Sequence, residues 1–351
     1  MVTIADVARH AGVAASTVSY VLSGKRSISS DTRERVQRSV RALGYRPNAS
    51  ARALASQRSN VLALVIPLRT GMHVPVMMQF AAAVVTTARR YDHDVLLLTA
   101  DEGPEGLQRV AQSSLVDALV VMDVELDDER VPVLRELPMP SVLIGYPADS
   151  EGLTCIDLDF VAAGARCVDH LADLGHRSMA LLGTPSAVYE RQTGFAQRTL
   201  TGFAEAAGQR GVVGVETPCE HTFAAVLGTV ERLLHDHPDL TGLVVQNEPI
   251  IGPLLDVLRR LGRRVPEDMS LVAICADDVA ERQVPQLSSV TIPAERIGAL
   301  AVESLITKLS GAEAPELTLL PPEFTARGSS GRADDSDTTT GQGERTVDRR
   351  A

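Results

Sequence analysis

Tryptophan is absent from the 351-residue chain, and aromatic residues make up only 3% of it. A core without many rings must be closed by aliphatic side chains, and the 44% apolar content supplies them. Nowhere do about 18 apolar residues run together, so no membrane-spanning helix and no membrane partner are expected. Asp6 and Arg9 stand where an exported chain would be apolar, which predicts a cytoplasmic protein. Cysteine is also scarce. Cys155, Cys167, Cys219 and Cys275 are scattered, with no CxxC pair and no histidine at zinc spacing. They read as buried thiols in a reducing compartment, not as a disulfide framework or a metal site. GxGxxG, Walker A, GxSxG and HExxH patterns are missing as well. Nothing therefore organises phosphate, nucleophile or metal chemistry, and no enzyme, metal or cofactor is expected.

The net charge of -11 conceals a division. Residues 1–58 hold ten Lys/Arg against Asp6, Asp31 and Glu34, a balance of +7, which leaves -18 for the remainder. A cationic head on an anionic body is the layout of a nucleic-acid reader whose bulk does something else. The acidic body also discourages non-specific coating of DNA.

Within that head, Ile4, Val7, Ala8 and Ala11 recur at i, i+3, i+4 and i+7, the apolar stripe of a helix. Thr3 precedes the stripe as a cap, with Asp6 three residues on, where a carboxylate favours the helix start. Gly12 breaks the pattern. A second stripe, Val18, Val21 and Leu22, leaves Ser16, Thr17, Ser19 and Tyr20 on the opposite side. The spacing fits either two ordinary bundle helices or a helix-turn-helix. An outward face of small hydroxyls and one phenol suits a DNA major groove. Lys25 and Arg26 follow in a turn-rich loop, where cations sit over phosphates. A third helix is expected on Val36, Val40 and Leu43, capped by Ser29 or Ser30 and stopped by Gly44 and Pro47.

Residues 48–59 favour a helix capped by Asn48, yet about ten residues are too few for a stable helix alone in water. Leu54, flanked by Arg52 and Arg58, reads either as a stray leucine in a linker or as a wedge for a minor-groove base step. The Asn48-Ala49-Ser50 glycosylation pattern is discounted in a cytoplasmic chain. From Val61 the texture changes to short buried strands alternating with helices. Strands are expected at 61–67, 94–98, 117–122, 140–145, 154–156, 178–183, 242–246, 271–275 and 291–293. The intervening helices include 160–174, 200–207, 250–261 and 295–309. Two such series make two doubly wound parallel sheets, which bind ligands beyond the strand C-termini. Asp157 and Asp159 share one side of an extended segment, and Asp159 is better explained as the cap of the helix at Phe160. From Gly328 onward the chain is rich in Asp, Thr, Gly and Arg and is expected to be disordered; no leucine heptad that could tie two dimers together occurs there.

The runs TIADVARHAGVAASTVSYVLSGKR, SSDTRERV and LGYRPNASARALAS closely resemble the lactose-repressor (LacI/GalR) family. So do HLADLGHRSMALLG, RTLTGF, VPEDMSLVAICADD and LSSVTIPAERIGALAV, which extend the resemblance from residue 2 to about 328. It implies a homodimeric transcription regulator, a repressor, gripping a pseudo-palindromic double-stranded DNA operator. Its implied architecture is a helix-turn-helix domain at 1–47, a hinge helix at 48–60 and a periplasmic-binding-protein-like core at 61–327. The core would comprise one subdomain of about 61–155 and 283–327 and another of about 156–282, with a disordered tail at 328–351. A small-molecule effector, a sugar or sugar derivative, would sit between the subdomains.

By that resemblance Ala15, Ser16 and Tyr20 choose bases, Thr17, Ser19 and Arg26 hold backbone or nearby bases, and Leu54 pries open the central step. With Thr3, Lys25, Asn48 and Arg52 they complete the expected DNA-binding set. Arg198, Asn247 and Asp277 match family ligand positions, a cation, an amide and a carboxylate suited to vicinal hydroxyls. His73, Met122, Tyr146, Phe160 and Phe195 fall where the family lines its pocket. Departures occur: Ser23 for a common Asn, Glu248 for the usual Asp, Met122 and Gly145 for polar ligands, and CADD for a glycine-aromatic-aspartate run. They set this pocket apart from a lactose- or ribose-like one. The alternative, a solute-binding protein without DNA binding, has no use for a +7 head.

Overall fold

A computed structural model describes residues 2–23, 26, 28–45, 58–100 and 103–333. The expected hinge helix, with Asn48, Arg52 and Leu54, lies outside the described residues except for 58–60, as does Lys25. The chain divides after Asn60 into two compact units.

The first unit holds α1 (Ile4–Ala11), α2 (Ala15–Ser23) and α3 (Ser30–Ala42). Thr3 and Asp6 form a reciprocal capping box: the Asp6 N–H donates to Thr3 Oγ1 at 3.3 Å, and the Thr3 N–H donates to Asp6 Oδ2 at 2.9 Å. Gly12 ends α1 at φ +63°, a backbone that L side chains rarely adopt, and so turns the chain into α2. Val7, Val18 and Val36 are wholly buried, with Ile4, Val13, Val21, Leu22, Val40, Leu43 and Tyr45 packed around them. Each fully buried valine contributes about 1.5–3 kcal/mol. In so small a core, a helix cap worth about 1 kcal/mol is a sizeable share.

The second unit contains two six-stranded sheets. Strands β1 (Val61–Val65), β2 (Asp94–Leu98), β3 (Ala118–Val121), β4 (Ser141–Ile144) and β5 (Cys155–Leu158) belong to the first, with β11 (Leu317–Leu320) at its edge. The second is built from β6 (Ser178–Gly183), β7 (Val213–Pro218), β8 (Gly242–Val245), β9 (Ser270–Cys275), β10 (Ser288–Thr291) and β12 (Phe324–Thr325). All pairings are parallel except that β12 runs antiparallel to β10. β3, β4, β6, β8 and β9 are buried along their whole length, as expected of parallel strands with helices on both faces. The first sheet carries α4 (Val74–Arg90), α5 (Gly103–Gln112), α6 (Val131–Glu136) and α13 (Ala294–Leu309). The second carries α7 (Phe160–Asp173), α8 (Ser186–Glu190), α9 (Gly194–Arg210), α10 (Phe223–Asp236), α11 (Ile251–Arg260) and α12 (Asp277–Glu281). Gly298 lets α13 lie close on α4, since a Cβ there would stand 2.6 Å from the Ala83 Cβ.

Two boundaries differ from expectation. The crossing expected near 283 lies after Thr291, because β10 pairs with β9 in the second sheet. The break expected at 155/156 would cut β5, which stays whole between β4 and β11. The chain thus passes between sheets after Leu158, after Thr291 and after Leu320. The tail also begins later than Gly328. Residues 328–333 form a strap along the second sheet: the Leu271 N–H donates to Ser329 O at 2.7 Å, and the Ser288 N–H to Ser329 Oγ at 2.8 Å. Gly331 and Ser270 exchange hydrogen bonds, and the Ala333 N–H reaches Leu174 O at 2.9 Å. Ser329 and Gly331, at the start of a stretch expected to be disordered, here satisfy backbone groups beside β9 and β10.

Candidate functional site

The first candidate surface is the outer face of α2. Val18 is wholly buried, which turns Ala15, Ser16, Ser19 and Tyr20 outward and leaves Thr17 half-buried. The Arg26 guanidinium lies 5.5 Å from the Tyr20 ring centroid, so a cation and a phenol are offered together. Thr3 stays exposed, but its hydroxyl is engaged with Asp6 at 2.7 Å.

The second candidate site is a cavity of about 130 Å³ between the two sheets, beyond the C-terminal ends of their strands. It has room for about four waters at liquid density, or for one small ring. The first sheet and α4 supply a mainly apolar wall: Met72, Val76, Met77, Phe80, Met122, Val124 and Ile144. The second supplies a more polar one, with Thr184, Arg191, His221, Gln246, Asn247 and Glu248. Of the expected residues, His73, Met122, Phe160, Phe195 and Asn247 line this cavity. Phe160 and Phe195 pack ring to ring at 5.7 Å.

The polar groups are held in specific ways. Asn247 Nδ2 donates to Cys219 O at 2.6 Å, and Gln246 Nε2 donates to Thr199 Oγ1 at 2.7 Å. Glu248 Oε2 accepts the Ala276 N–H at 3.4 Å, while Oε1 is 3.5 Å from His73 Nδ1. Burial pushes the Glu248 carboxyl up and the His73 imidazole down, so both drift toward neutrality. Arg69 Nη1 donates to Asp123 Oδ2 at 3.3 Å and to Glu125 Oε1 at 2.5 Å. From the second subdomain, Arg191 Nη1 crosses to Thr70 O at 3.0 Å. Beside it the backbone forms a seam, with the Leu126 N–H on Gln192 O and the Gly194 N–H on Val124 O, each at 2.9 Å.

Three expected residues stand apart from the cavity lining. The Arg198 guanidinium stacks 3.2 Å from the Tyr146 ring centroid and donates to Pro147 O at 3.2 Å. Both groups are thereby engaged in the junction between subdomains. Asp277 Oδ1 accepts from Thr291 Oγ1 at 2.9 Å and from Arg327 Nη2 at 3.0 Å, and it borders a separate groove against α4 and α13. Asp157, discounted in favour of Asp159, is among the lining residues that sequence reasoning missed, with Thr184, Arg191, His221 and Gln246. Asp159 does cap α7, accepting the Ala162 N–H at 2.9 Å. Asp157 lines the cavity, and burial pushes its carboxyl up to about 7. Its one sequence signal is a carboxylate placed at the strand C-terminus, where such sheets bind ligands.

Residues 3–48 match the family described as bacterial regulatory proteins, lacI family, and residues 168–330 match the periplasmic binding protein-like domain. Catabolite control protein A of Priestia megaterium is 26% identical over 325 residues, 91% of this chain and 96% of that protein. The HTH-type transcriptional regulator CelR of Thermobifida fusca is 29% identical over 318 residues, 88% of this chain and 92% of that protein. Among solved structures, a transcriptional regulator CelR–cellobiose complex is similar at 26% identity and TM-score 0.66, covering 94% of this chain and 100% of that one. The lac repressor dimer bound to operator and the anti-inducer ONPF aligns at TM-score 0.81 over 94% of this chain and 99% of that one. At 22% identity, the second likeness speaks to fold alone.

Proposed function

Because the chain belongs to the lacI family of bacterial regulatory proteins, we propose that it is a repressor whose grip on an operator is set by a small molecule held between the two sheets. The observation that carries this reading is the pairing of an α2 face, apolar inside and hydroxyl-rich outside, with a cavity at the strand ends of a separate unit. In this reading Ala15, Ser16 and Tyr20 choose bases, while Thr17, Ser19 and Arg26 hold the backbone or nearby bases. CelR, which is seen with cellobiose, supports a sugar or sugar derivative as the class of effector. Asn247, Phe160, Phe195 and His73 then face it.

The operator is pseudo-palindromic and the regulator a homodimer, since two half-sites one helical turn apart need two α2 helices. Exposed Met78 and Val85 on α4, with Leu96 and Leu97 on the edge strand β2, support a dimer surface on the first subdomain. No helix among the described residues is long and apolar enough to cross a membrane. Effector binding changes the angle between subdomains, and that spacing decides whether the paired segments around Leu54 form on DNA. A decisive switch needs about 2–5 kcal/mol of differential affinity between the two states.

A mobility-shift assay with genomic fragments tests the reading. A discrete complex that survives competitor DNA is expected. Failure of the full chain to retard any fragment overturns it in favour of a solute-binding role.

A further inference from the structure

Asp157 stands near the end of β5, where the chain leaves the first sheet for the second. It is 5% exposed and lines the cavity. Its Oδ1 accepts the Leu158 N–H at 2.9 Å, whereas Oδ2 is buried with no hydrogen-bond partner. Buried polar atoms in folded proteins nearly always have a partner, because an empty one has lost its water for nothing. An unmatched carboxylate oxygen on a residue that lines a cavity points to a donor brought in from outside.

We propose that Asp157 is the polar anchor of the effector, its Oδ2 accepting a hydrogen bond from a hydroxyl or ammonium group of a neutral or cationic polyol. This rests on the reading of the cavity as the effector site and narrows the class that enters it. A neutral or cationic polyol is favoured over sugar phosphates and sugar acids, which would set a further negative charge beside acidic side chains. An anion would meet Asp157 and Glu248, both buried carboxylates of the lining. Arg191, the guanidinium on that lining, commits Nη1 to Thr70 O, and its Nε stands 4.0 Å from Glu125 Oε1. Its Nε and Nη2, which make no hydrogen bond, can still donate to the oxygens of a neutral polyol. The apolar wall formed by Met122, Ile144 and Phe160 takes the C–H face of the same molecule.

The test is a thermal-shift screen of the full chain against neutral sugars, amino sugars, sugar phosphates and sugar acids, with calorimetric titration of the strongest ligand. That ligand is expected to be neutral or an amine. Asp157→Leu is expected to weaken it about 10- to 150-fold, the worth of a hydrogen bond to a charged group, while operator binding without effector changes less than threefold. Asp157→Asn separates the two donors: an amide oxygen still accepts from a hydroxyl, with a loss under about tenfold, but it forfeits the attraction for an ammonium. Met72→Trp, which sets an indole in the cavity lining, is the control on the site itself. A ligand lost in Met72→Trp but unmoved in Asp157→Leu overturns the anchor and leaves the cavity reading standing. A phosphate or acid as the strongest ligand overturns the anchor too. A ligand unmoved by both variants overturns the cavity reading.

Discussion

Asp157→Asn should stabilise the effector-free protein at alkaline pH and do nothing for it near pH 4. Burial raises the folded carboxyl from an ordinary 3.8 to about 7, so between those values the folded state binds a proton that the unfolded state has released. Stability therefore falls as pH rises through that window and levels off above the folded value. The corresponding cost is about 4 kcal/mol at pH 8, from 1.36 kcal/mol for each tenfold change in proton affinity. A neutral amide never incurs it. For a unit of this size a kilocalorie moves the midpoint by about 2 °C, so the variant should melt up to about 8 °C higher at pH 8. Near pH 4 the two curves should converge. Calorimetric scans of both proteins from pH 4 to pH 8, without effector, provide the measurement. A constant difference across the range, or an Asn variant less stable at pH 8, would show that Asp157 is already compensated when ionised and refute the reasoning.

Leu54→Ala should lower operator affinity more than it lowers binding to random duplex, measured by fluorescence anisotropy at one salt concentration; equal losses would remove the wedge role. Operator affinity should fall steeply with salt, and Lys25→Ala should reduce the slope of log K against log salt by about one while weakening all sequences alike. A changed preference among operator variants would instead make Lys25 a base reader. Asp277→Ala leaves Arg327 and Thr291 without their shared acceptor and should cost about 1–3 kcal/mol of stability. Effector affinity should stay within about threefold. An abolished effector response at unchanged melting temperature would place Asp277 in the site.

Local physics made much of the fold legible. The Thr3–Asp6 box and the strand at 178–183 depend on near neighbours and on runs of apolar residues, so the chain announces them directly. Positions decided by distant partners were not legible. Asp157 looks like half of a polar pair in an extended segment until the second sheet is folded over it. Asp277 meets an arginine 50 residues further on, and no local spacing signals that meeting. Ser329 has the composition of a loose end but is 0% exposed, because the amides and carbonyls it satisfies belong to β9 and β10. The crossing after Thr291 escaped notice for a similar reason: which sheet claims a short strand is settled by its hydrogen-bonded neighbour, not by its own residues.

The Ser329–Gly331 strap makes the carboxyl end of this protein a handle. Any load applied beyond residue 333, whether by a fused tag or by a partner, is delivered through Ala333 to Leu174 and then to Ser270, Leu271 and Ser288. The last three open the strands that run on to Ile274 and, just past Thr291, to Ile292, two walls of the cavity. A pull at the chain's end is therefore felt at the pocket along two covalent struts, without passing through the first sheet.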